Sequence, residues 1–465
     1  MKKIVILVLI SLIFLSFTNI SNAGNPNNKK KPKNIILLIG DGMGYNQIKS
    51  CDYYYDQIQA YEKWENHYWV STYPYGSSYN SDSVWTFYNY VKSRYTDSAP
   101  AATAMATGVK TYDDVIGLDH LYLKVENVCE LAKKNNKSTG VITTVPIPHA
   151  TPAGFLAHIV NRNYYHSILT QMLIDSKADV VMGCGNPDFD NNGKPTTKES
   201  DRYIYSSIWK DIKNGSLEFT DETGVKRTIS SCDADNTPDK WFLCERFSTF
   251  DSIAKGLFIP KRLLGIPQVF ETLQQERDKK SEELKPYDTP FNSNIPSLST
   301  MVGAGLNVLQ KNNNGFFVMI EGGAIDWACH GGDAVRLIEE VNEFNNAVAT
   351  VIDWVNKNSN WDETLVIVVA DHETGFLTGK NINEKNYKTE KLQLENNGKL
   401  NMSGMVFNTG SKTKSYYSHS NSLIPIFIKG NGSEVFTKYI DESDLVRGKY
   451  MQNNEIGLAL KELLN

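Results

Sequence analysis

The stretch NIILLIGDG at residues 34–42 passes from an apolar run directly into a glycine and an aspartate. An uncharged run of Ile and Leu is typical of a strand that is buried on both faces of a sheet. Because helical patterns separate further runs of this kind, we predict an α/β fold with a mostly parallel central sheet and helices on both faces. These runs lie at 138–144 (STGVITT), 179–182 (DVVM), 315–320 (GFFVMI), 364–370 (TLVIVVA) and 423–428 (LIPIFI).

The clearest helical pattern covers residues 333–356, where apolar side chains recur every three or four positions: Val335, Ile338, Val341, Phe344, Val348, Val351 and Val355. We interpret residues 34–465 as one domain. Two regions interrupt the alternation of strands and helices, near 185–295 and 376–418, and we interpret both as insertions. We expect the insertions to form a cap or crown over a functional site.

The beginning of the chain has the layout of a secretory signal peptide. Two lysines precede an apolar run at 4–17, and small residues follow for cleavage after Ala23. We therefore expect residues 1–23 to be removed, residues 24–33 (GNPNNKKKPK) to form a flexible segment, and the protein to be periplasmic or secreted without a membrane span. An uncleaved anchor is the alternative, although the run is shorter than the roughly 20 residues of a bilayer span.

Composition restricts the classes of partner. The chain of 465 residues is 41% hydrophobic and 22% charged, which suits a large folded core, and its formal net charge is −5. An acidic balance argues against nucleic acid as the main partner, because such proteins usually carry a basic excess. The six cysteines form no CxxC zinc pattern. Cys232 and Cys244 flank a polar loop and are candidates for a disulfide, and free buried thiols are an equally good interpretation.

Polar residues flank the predicted strands at the ends where open α/β sheets bind ligands. Four of the eight histidines fall there. Alone, an Asp-Gly after a strand is usually a turn, and an Asp-His pair is usually structural. Because all these residues are predicted at one edge of one sheet, we interpret them as metal ligands, and their mixture of carboxylates and imidazoles suits zinc together with magnesium. They are Asp41, His149, Thr151, Glu321, Asp326, His330, Asp371, His372 and His419.

A candidate nucleophile lies in the string TDSAPAATAMATGVKT at residues 96–111. The small residues after Ser98 favour a helix, and Pro100 suits its first turn. Ser98 is therefore predicted at a helix N-terminus, where backbone N–H groups and the helix dipole attract phosphate. The alternative is that Ser98 is an ordinary helix cap without a catalytic role.

This string resembles the phosphorylation-site signature of alkaline phosphatases. Other motifs match that family in order from residue 34 to about 430: IGDGMG, HATPAGFLAHIVNR, EGGAIDWACH, ADHETG and SHS. The resemblance implies hydrolysis of phosphate monoesters through a phosphoseryl intermediate on Ser98. It implies that Arg162 grips the phosphate and that Asp97 orients this arginine. It also implies one zinc ion held by Asp326, His330 and His419, a second held by Asp41, Asp371 and His372, and a magnesium ion held by Asp41, Thr151 and Glu321.

At the magnesium site the chain departs from many bacterial members of the family it resembles. Those proteins carry Asp where this chain has His149, and Lys where it has Trp327. The chain is similar here to a smaller bacterial group that combines His with Trp. We expect a less negative site that binds magnesium more weakly. His149 would bind the ion directly, bind it through water, or only pack beneath it.

Other functions fit the sequence less well. Sulfatases carry Cys or Ser followed by x-Pro-x-Arg, and Ala102 stands where that arginine belongs. Diesterases need room for a second ester group, which Arg162 is expected to block. A non-catalytic metal or phosphate binder is disfavoured because Ser98 is retained beside a full set of ligands. We therefore predict a phosphomonoesterase that acts on small-molecule substrates, from a family whose members are often homodimers.

Overall fold

The computed structural model describes residues 31–197, 200–279, 284–389, 391–410 and 416–465, so the predicted signal peptide and most of segment 24–33 lie outside the described residues. Within the described ranges, eleven strands form one mixed sheet with the order β10-β11-β2-β9-β8-β1-β7-β3-β4-β6-β5. The strands are β1 (Asn34–Gly40), β2 (Asn66–Ser71), β3 (Ser138–Pro146), β4 (Val180–Cys184), β5 (Phe242–Cys244), β6 (Leu263–Gly265), β7 (Phe316–Gly322), β8 (Thr364–Ala370), β9 (Ile424–Gly430), β10 (Glu442–Asp444) and β11 (Gly448–Gln452).

The centre of the sheet is parallel, which confirms the predicted fold class. β1 pairs in parallel with β7 on one side and with β8 on the other, and β3 and β4 continue the parallel order beyond β7. Every residue of β1 is buried. A strand with neighbours on both sides and helices over both faces has no contact with water, which explains why the run at 35–39 carries no polar side chain.

Both edges of the sheet add strands that the sequence did not indicate. At one edge, the predicted strand β9 runs antiparallel to β8, and three further strands follow it: β2, antiparallel to β9, and then the hairpin of β11 and β10. At the other edge, β6 pairs in parallel with β4, and β5 with β6. Since β5 and β6 belong to residues 185–295, this predicted insertion extends the central sheet.

The helices connect and cover these strands. Among them, the predicted helix at 333–356 is confirmed as a helix that begins after Asp333, whose side chain accepts hydrogen bonds from the backbone of Val335 and Arg336. None of the helices in the described ranges is long and apolar enough to cross a membrane. In chain order the α-helices are α1 (Tyr45–Tyr55), α2 (Ser81–Thr86), α3 (Tyr88–Val91), α4 (Ser98–Thr107), α5 (Val128–Lys134), α6 (Ala150–Gly154), α7 (Tyr165–Thr170), α8 (Ser206–Lys213), α9 (Phe247–Ala254), α10 (Leu298–Leu309), α11 (Ala324–His330), α12 (Ala334–Asn358) and α13 (Asn453–Leu464).

Short two-stranded pairings lie outside the main sheet. Glu373–Thr374 pairs with His419–Ser420, and Leu377–Gly379 pairs with Met405–Phe407. A third pairing joins Glu218–Thr220 and Lys226–Thr228. The first of these pairings brings the segment after β8 against the segment before β9, although about 45 residues separate them in the chain. That residues 376–418 form a cap stays a prediction.

All six cysteines lie in the described part of the chain, where each is buried and free. Of the two interpretations of Cys232 and Cys244, the structure therefore supports free thiols. Burial raises the pKa of both thiols to about 12, so both are protonated near neutral pH.

Candidate active site

The ends of three neighbouring strands place acidic side chains at one edge of the sheet. Gly40 at the end of β1 lies opposite Gly322 of β7 and Ala370 of β8. Asp41, Glu321 and Asp371 therefore meet at this edge, and all three are buried. Parallel strands end at the same edge, so residues far apart in sequence converge there.

Asp41, Asp371 and His372 form the first group that could hold a metal ion, with ligand atoms within 4.8 Å of one another. Nε2 of His372 lies 3.2 Å from Oδ2 of Asp371 and 3.5 Å from Oδ1 of Asp41. Oδ1 of Asp371 accepts hydrogen bonds from the backbone N–H groups of Gly42 and His372. Gly42 has φ 68°, and a Cβ there would lie 2.7 Å from Oγ1 of Thr374, so the close approach requires glycine.

Asp326, His330 and His419 form the second group that could hold a metal ion. Asp326 and His330 lie one turn apart on α11, with 3.1 Å between Oδ2 and Nε2. Nδ1 of His330 donates to the carbonyl of Tyr417, and Nδ1 of His419 donates to the carbonyl of Thr96. These bonds direct both Nε2 atoms towards each other, 3.1 Å apart, in the arrangement of ligating histidines.

Ser98 is the first residue of α4, and the cap of that helix is Asp97. Oδ1 of Asp97 accepts a hydrogen bond from the backbone N–H of Ala99. The cap is therefore Asp97 and not Ser98, and a catalytic role of Ser98 stays a prediction. Oγ of Ser98 lies 3.2 Å from Nε2 of His372 and 3.4 Å from Oδ2 of Asp41, at the edge of the first group.

Arg162 reaches the same place from the segment after α6. Its Nη1 donates to Oδ1 of Asp97 at 2.9 Å. The turn at Asp114 holds both residues: its backbone N–H donates to Oδ2 of Asp97, and its carbonyl accepts from the backbone N–H of Arg162. The two side chains are thus in direct contact, and that Asp97 orients Arg162 for phosphate stays a prediction.

A third set of predicted ligands surrounds Glu321. Oγ1 of Thr151 lies 3.4 Å from Oδ2 of Asp41, and Thr143 donates a hydrogen bond to Oε2 of Glu321. His149 lies nearby and is buried, with its ring 5.5 Å from that of Trp327. Burial, followed by the charge of Arg162, lowers the pKa of His149 to about 3, so this imidazole is neutral.

The electrostatics of the site fit divalent cations. Burial, followed by neighbouring carboxylates, raises the pKa of Asp41 well above its usual range. Burial also raises the pKa of Glu321 and that of Asp371 to about 7. In the described part of the chain, one oxygen of each carboxylate and Nδ1 of His149 are buried without a hydrogen-bond partner. Such atoms are costly unless a ligand satisfies them, and carboxylates with imidazoles are the donors that zinc and magnesium prefer.

Some residues that support the site were missed in the sequence. Oγ1 of Thr374 donates to Oδ1 of Asp326 at 2.5 Å and lies 3.3 Å from Nδ1 of His372, so it links the two groups. Glu373 accepts hydrogen bonds from Gln47 and Ser420, which ties the segment of His372 to that of His419. A hydroxyl two residues after a predicted ligand was the available signal for Thr374.

Comparison with known proteins gives the family. The family model described as alkaline phosphatase matches residues 32–423. The chain belongs to the alkaline phosphatase family. Alkaline phosphatase 4 of Bacillus subtilis (strain 168) is 31% identical over 373 residues, which are 78% of this chain and 66% of that protein. The chain thus spans just under two thirds of the length of this relative.

Solved structures of alkaline phosphatases share the fold. The alkaline phosphatase of the Antarctic bacterium TAB5 is 28% identical, with a TM-score of 0.62 and coverage of 94% of this chain and 99% of that chain. A His-to-Asp variant of the TAB5 enzyme, with magnesium bound in a site named M3, is similar to the same degree, with a TM-score of 0.61.

Proposed function

We propose that this protein is an alkaline phosphatase that hydrolyses phosphate monoesters to an alcohol and inorganic phosphate. The observation that carries the proposal is the position of Ser98, whose hydroxyl lies at the start of α4 and 3.2 Å from Nε2 of His372. A serine in this place is next to a predicted ion and at the positive end of a helix dipole. Both features favour its alkoxide and the binding of phosphate.

Three ions complete the proposed site. Asp326, His330 and His419 would hold one zinc ion, and Asp41, Asp371 and His372 a second. A magnesium ion would be held by the third set: Asp41, Thr151 and Glu321. When bound, these ions would supply Lewis acidity that favours an ionised serine and stabilises charge on the attacking and departing oxygens.

Ser98 carries the covalent step. Its oxygen forms a bond to phosphorus while the bond from phosphorus to the ester oxygen breaks, which leaves phosphoserine and the alcohol. Water then attacks the same phosphorus, and Ser98 departs with release of inorganic phosphate. In this proposal the alcohol leaves on the side of Asp326, His330 and His419, opposite the attacking oxygen.

Arg162 binds the phosphoryl oxygens that do not react. Its planar fork can donate two parallel hydrogen bonds to two of them. The contact with Asp97 leaves the second terminal nitrogen of the guanidinium available for this purpose. A diester carries a substituent on one of these oxygens, so the same contact favours monoesters.

At the proposed magnesium site, His149 stands where many bacterial members of the family carry Asp. Its neutral ring lies among Tyr165 and Trp327, and its Nδ1 is buried without a hydrogen-bond partner among the described residues. The His-to-Asp variant of the TAB5 enzyme with magnesium in its M3 site supports a histidine at such a place. We propose that His149 contacts the ion directly or through water.

We also propose that the protein is exported. The apolar run at 4–17 and the small residues before Ala23 support a cleaved signal peptide and a periplasmic or secreted enzyme. We further propose that the substrates are small phosphate monoesters and that the mature protein is a homodimer.

Trapping the covalent intermediate tests the function. The purified protein, loaded with zinc and magnesium, is mixed with a radiolabelled monoester, quenched in acid and digested. We expect label on Ser98 and a loss of activity by orders of magnitude in Ser98→Ala. Ser206→Ala is the matched control, because Ser206 is also the first residue of a helix. Label on another residue, or faster cleavage of a diester or a sulfate ester than of the monoester, would refute the proposal.

A further inference from the structure

Tyr416 lies against the second metal-ligand group, which consists of Asp326, His330 and His419. Its ring stacks on the imidazole of His330, with 4.4 Å between ring centroids and 13° between the planes. Its hydroxyl oxygen is 3.3 Å from Nε2 of His330, the atom that faces Asp326 and His419. Tyr416 is nevertheless 56% exposed. The histidine covers one part of the ring, and a flat surface beside the group stays open to solvent.

The neighbouring residue fixes Tyr416 in this position. The backbone N–H of Tyr417 donates to the carbonyl of His330, and the carbonyl of Tyr417 accepts from Nδ1 of the same histidine. The ring of Tyr417 packs on Phe407, 5.4 Å between centroids. It also passes over Gly332, where a Cβ would lie only 2.4 Å from the ring. The backbone at 416 therefore has little freedom relative to His330.

A second aromatic ring borders the same group. Tyr95 meets the ring of His419 in a T-shaped contact at 5.9 Å. Tyr95 is half-buried and lies three residues before Ser98 on the chain. The place to which the alcohol departs is thus lined by aromatic rings on two sides.

We propose that Tyr416 selects the leaving group, and that the enzyme prefers monoesters whose ester oxygen is attached directly to an aromatic ring over alkyl monoesters. This inference rests on the proposed phosphatase function, in which the alcohol leaves on the side of His330. An aromatic ring at that oxygen can stack in offset fashion on the open part of Tyr416, whereas a short alkyl chain offers no such surface. Stacked rings of this kind change affinity by about threefold to tenfold.

The binding of two phosphonates tests the inference, because the enzyme cannot hydrolyse them during the measurement. Benzylphosphonate and ethylphosphonate both carry a methylene group in place of the ester oxygen and cannot be cleaved there. Their dissociation constants are measured on the metal-loaded protein by calorimetry and by inhibition of monoester hydrolysis. We expect the wild type to bind benzylphosphonate about threefold to tenfold more tightly than ethylphosphonate.

Variants separate a stacking role from a structural one. Tyr416→Phe should keep the preference for benzylphosphonate, and Tyr416→Ala should reduce it to less than twofold. Tyr122→Ala is the matched control, because Tyr122 is similarly exposed at 53% and lies in another loop. Both phosphonates use the same ions and Arg162, so a loosened His330 or a lost ion weakens both equally and leaves their ratio unchanged.

Clear results would overturn the inference. Equal affinity of the wild type for both phosphonates would do so, and so would an unchanged ratio in Tyr416→Ala. The second result, combined with weaker binding of both compounds, would show that Tyr416 only supports His330. Absence of monoester hydrolysis by the metal-loaded wild type would instead refute the proposed function itself, and would remove the inference with it.

Discussion

Oδ1 of Asp97 accepts a hydrogen bond from Nη1 of Arg162 at 2.9 Å while it also accepts one from the first turn of α4. One carboxylate oxygen therefore fixes both the helix that carries Ser98 and the arginine proposed to bind phosphate. A change at Asp97 should affect the binding of phosphate and the stability of the helix together, and two substitutions can separate these effects.

Asp97→Ala should raise both the KM for a monoester and the inhibition constant of inorganic phosphate by about threefold to tenfold, because Arg162 loses a charged hydrogen bond. It should also destabilise the protein by about 1 kcal/mol through loss of the cap. Asp97→Asn keeps a cap acceptor and should restore most of the stability. Steady-state kinetics and thermal unfolding measure these effects. In a double variant with Arg162→Ala the two kinetic losses should not add, and full additivity would contradict the contact.

Glu321 should make the metal-free protein sensitive to pH. Burial raises the pKa of Glu321 to about 7, so the folded state binds more protons than the unfolded state between about pH 4.5 and 7. Its contribution therefore destabilises the metal-free fold as pH rises through this window. In chelated protein, Glu321→Gln should be more stable than the wild type at pH 8, by about 1–3 kcal/mol, and this advantage should vanish near pH 4.5. Denaturant unfolding at several pH values measures it, and an advantage independent of pH would be the contrary result.

Full activity of the enzyme should require added magnesium. His149 is neutral and replaces a carboxylate, so a hard cation meets less negative charge there. Titration of magnesium into zinc-loaded, magnesium-stripped protein should raise activity, and His149→Asp should shift the midpoint to lower magnesium concentration. The same order should appear in calorimetric titrations, which do not depend on turnover. Full activity without magnesium, or an unmoved midpoint, would show that His149 only packs beneath the site.

Lys110, which belongs to neither metal-ligand group, should also make the stability of the protein depend on pH. Its Nζ donates to the carbonyl of Tyr73 and to Oδ1 of Asn453, and burial lowers its pKa to about 7. Between about pH 7 and 10 the unfolded state binds more protons, so this group adds stability as pH rises. The difference in free energy of unfolding between Lys110→Met and the wild type should favour the variant by about 2 kcal/mol more at pH 6 than at pH 10. Lys449→Met, on an exposed part of β11, is the control, and equal pH profiles for wild type and Lys110→Met would be evidence against the burial effect.

The sequence predicted the centre of the fold well, because strands buried on both faces are apolar throughout. All six predicted strands are present, from β1 to β9 in the chain. The edges were not predictable. β5 and β6 have three residues each, too few for a pattern, and β10 (ESD) is equally short and has no apolar residue.

The candidate site was predictable where its residues follow strands or share a helix turn. Asp41, Glu321 and Asp371 gather because three parallel strands end together, and Asp326 and His330 because they are four residues apart on α11. The supporting contacts were not predictable. Thr143 bonds to Glu321 across 178 residues of chain, and Tyr416 bonds to His330 across 86, and no local pattern reports such distant pairs.

The central place of β1 also determines when this protein can finish folding. β1 starts at Asn34, yet its two partners are β7 and β8, which end at residues 322 and 370. During synthesis the first strand of the sheet must wait for nearly three hundred residues before either neighbour exists, and long-range pairing of this kind is slow. His419 follows later still, so a nascent or truncated chain that ends before it lacks a ligand of the second group. Uptake of the full set of ions would therefore report that the chain has been made at least as far as His419 and that its central strands have paired.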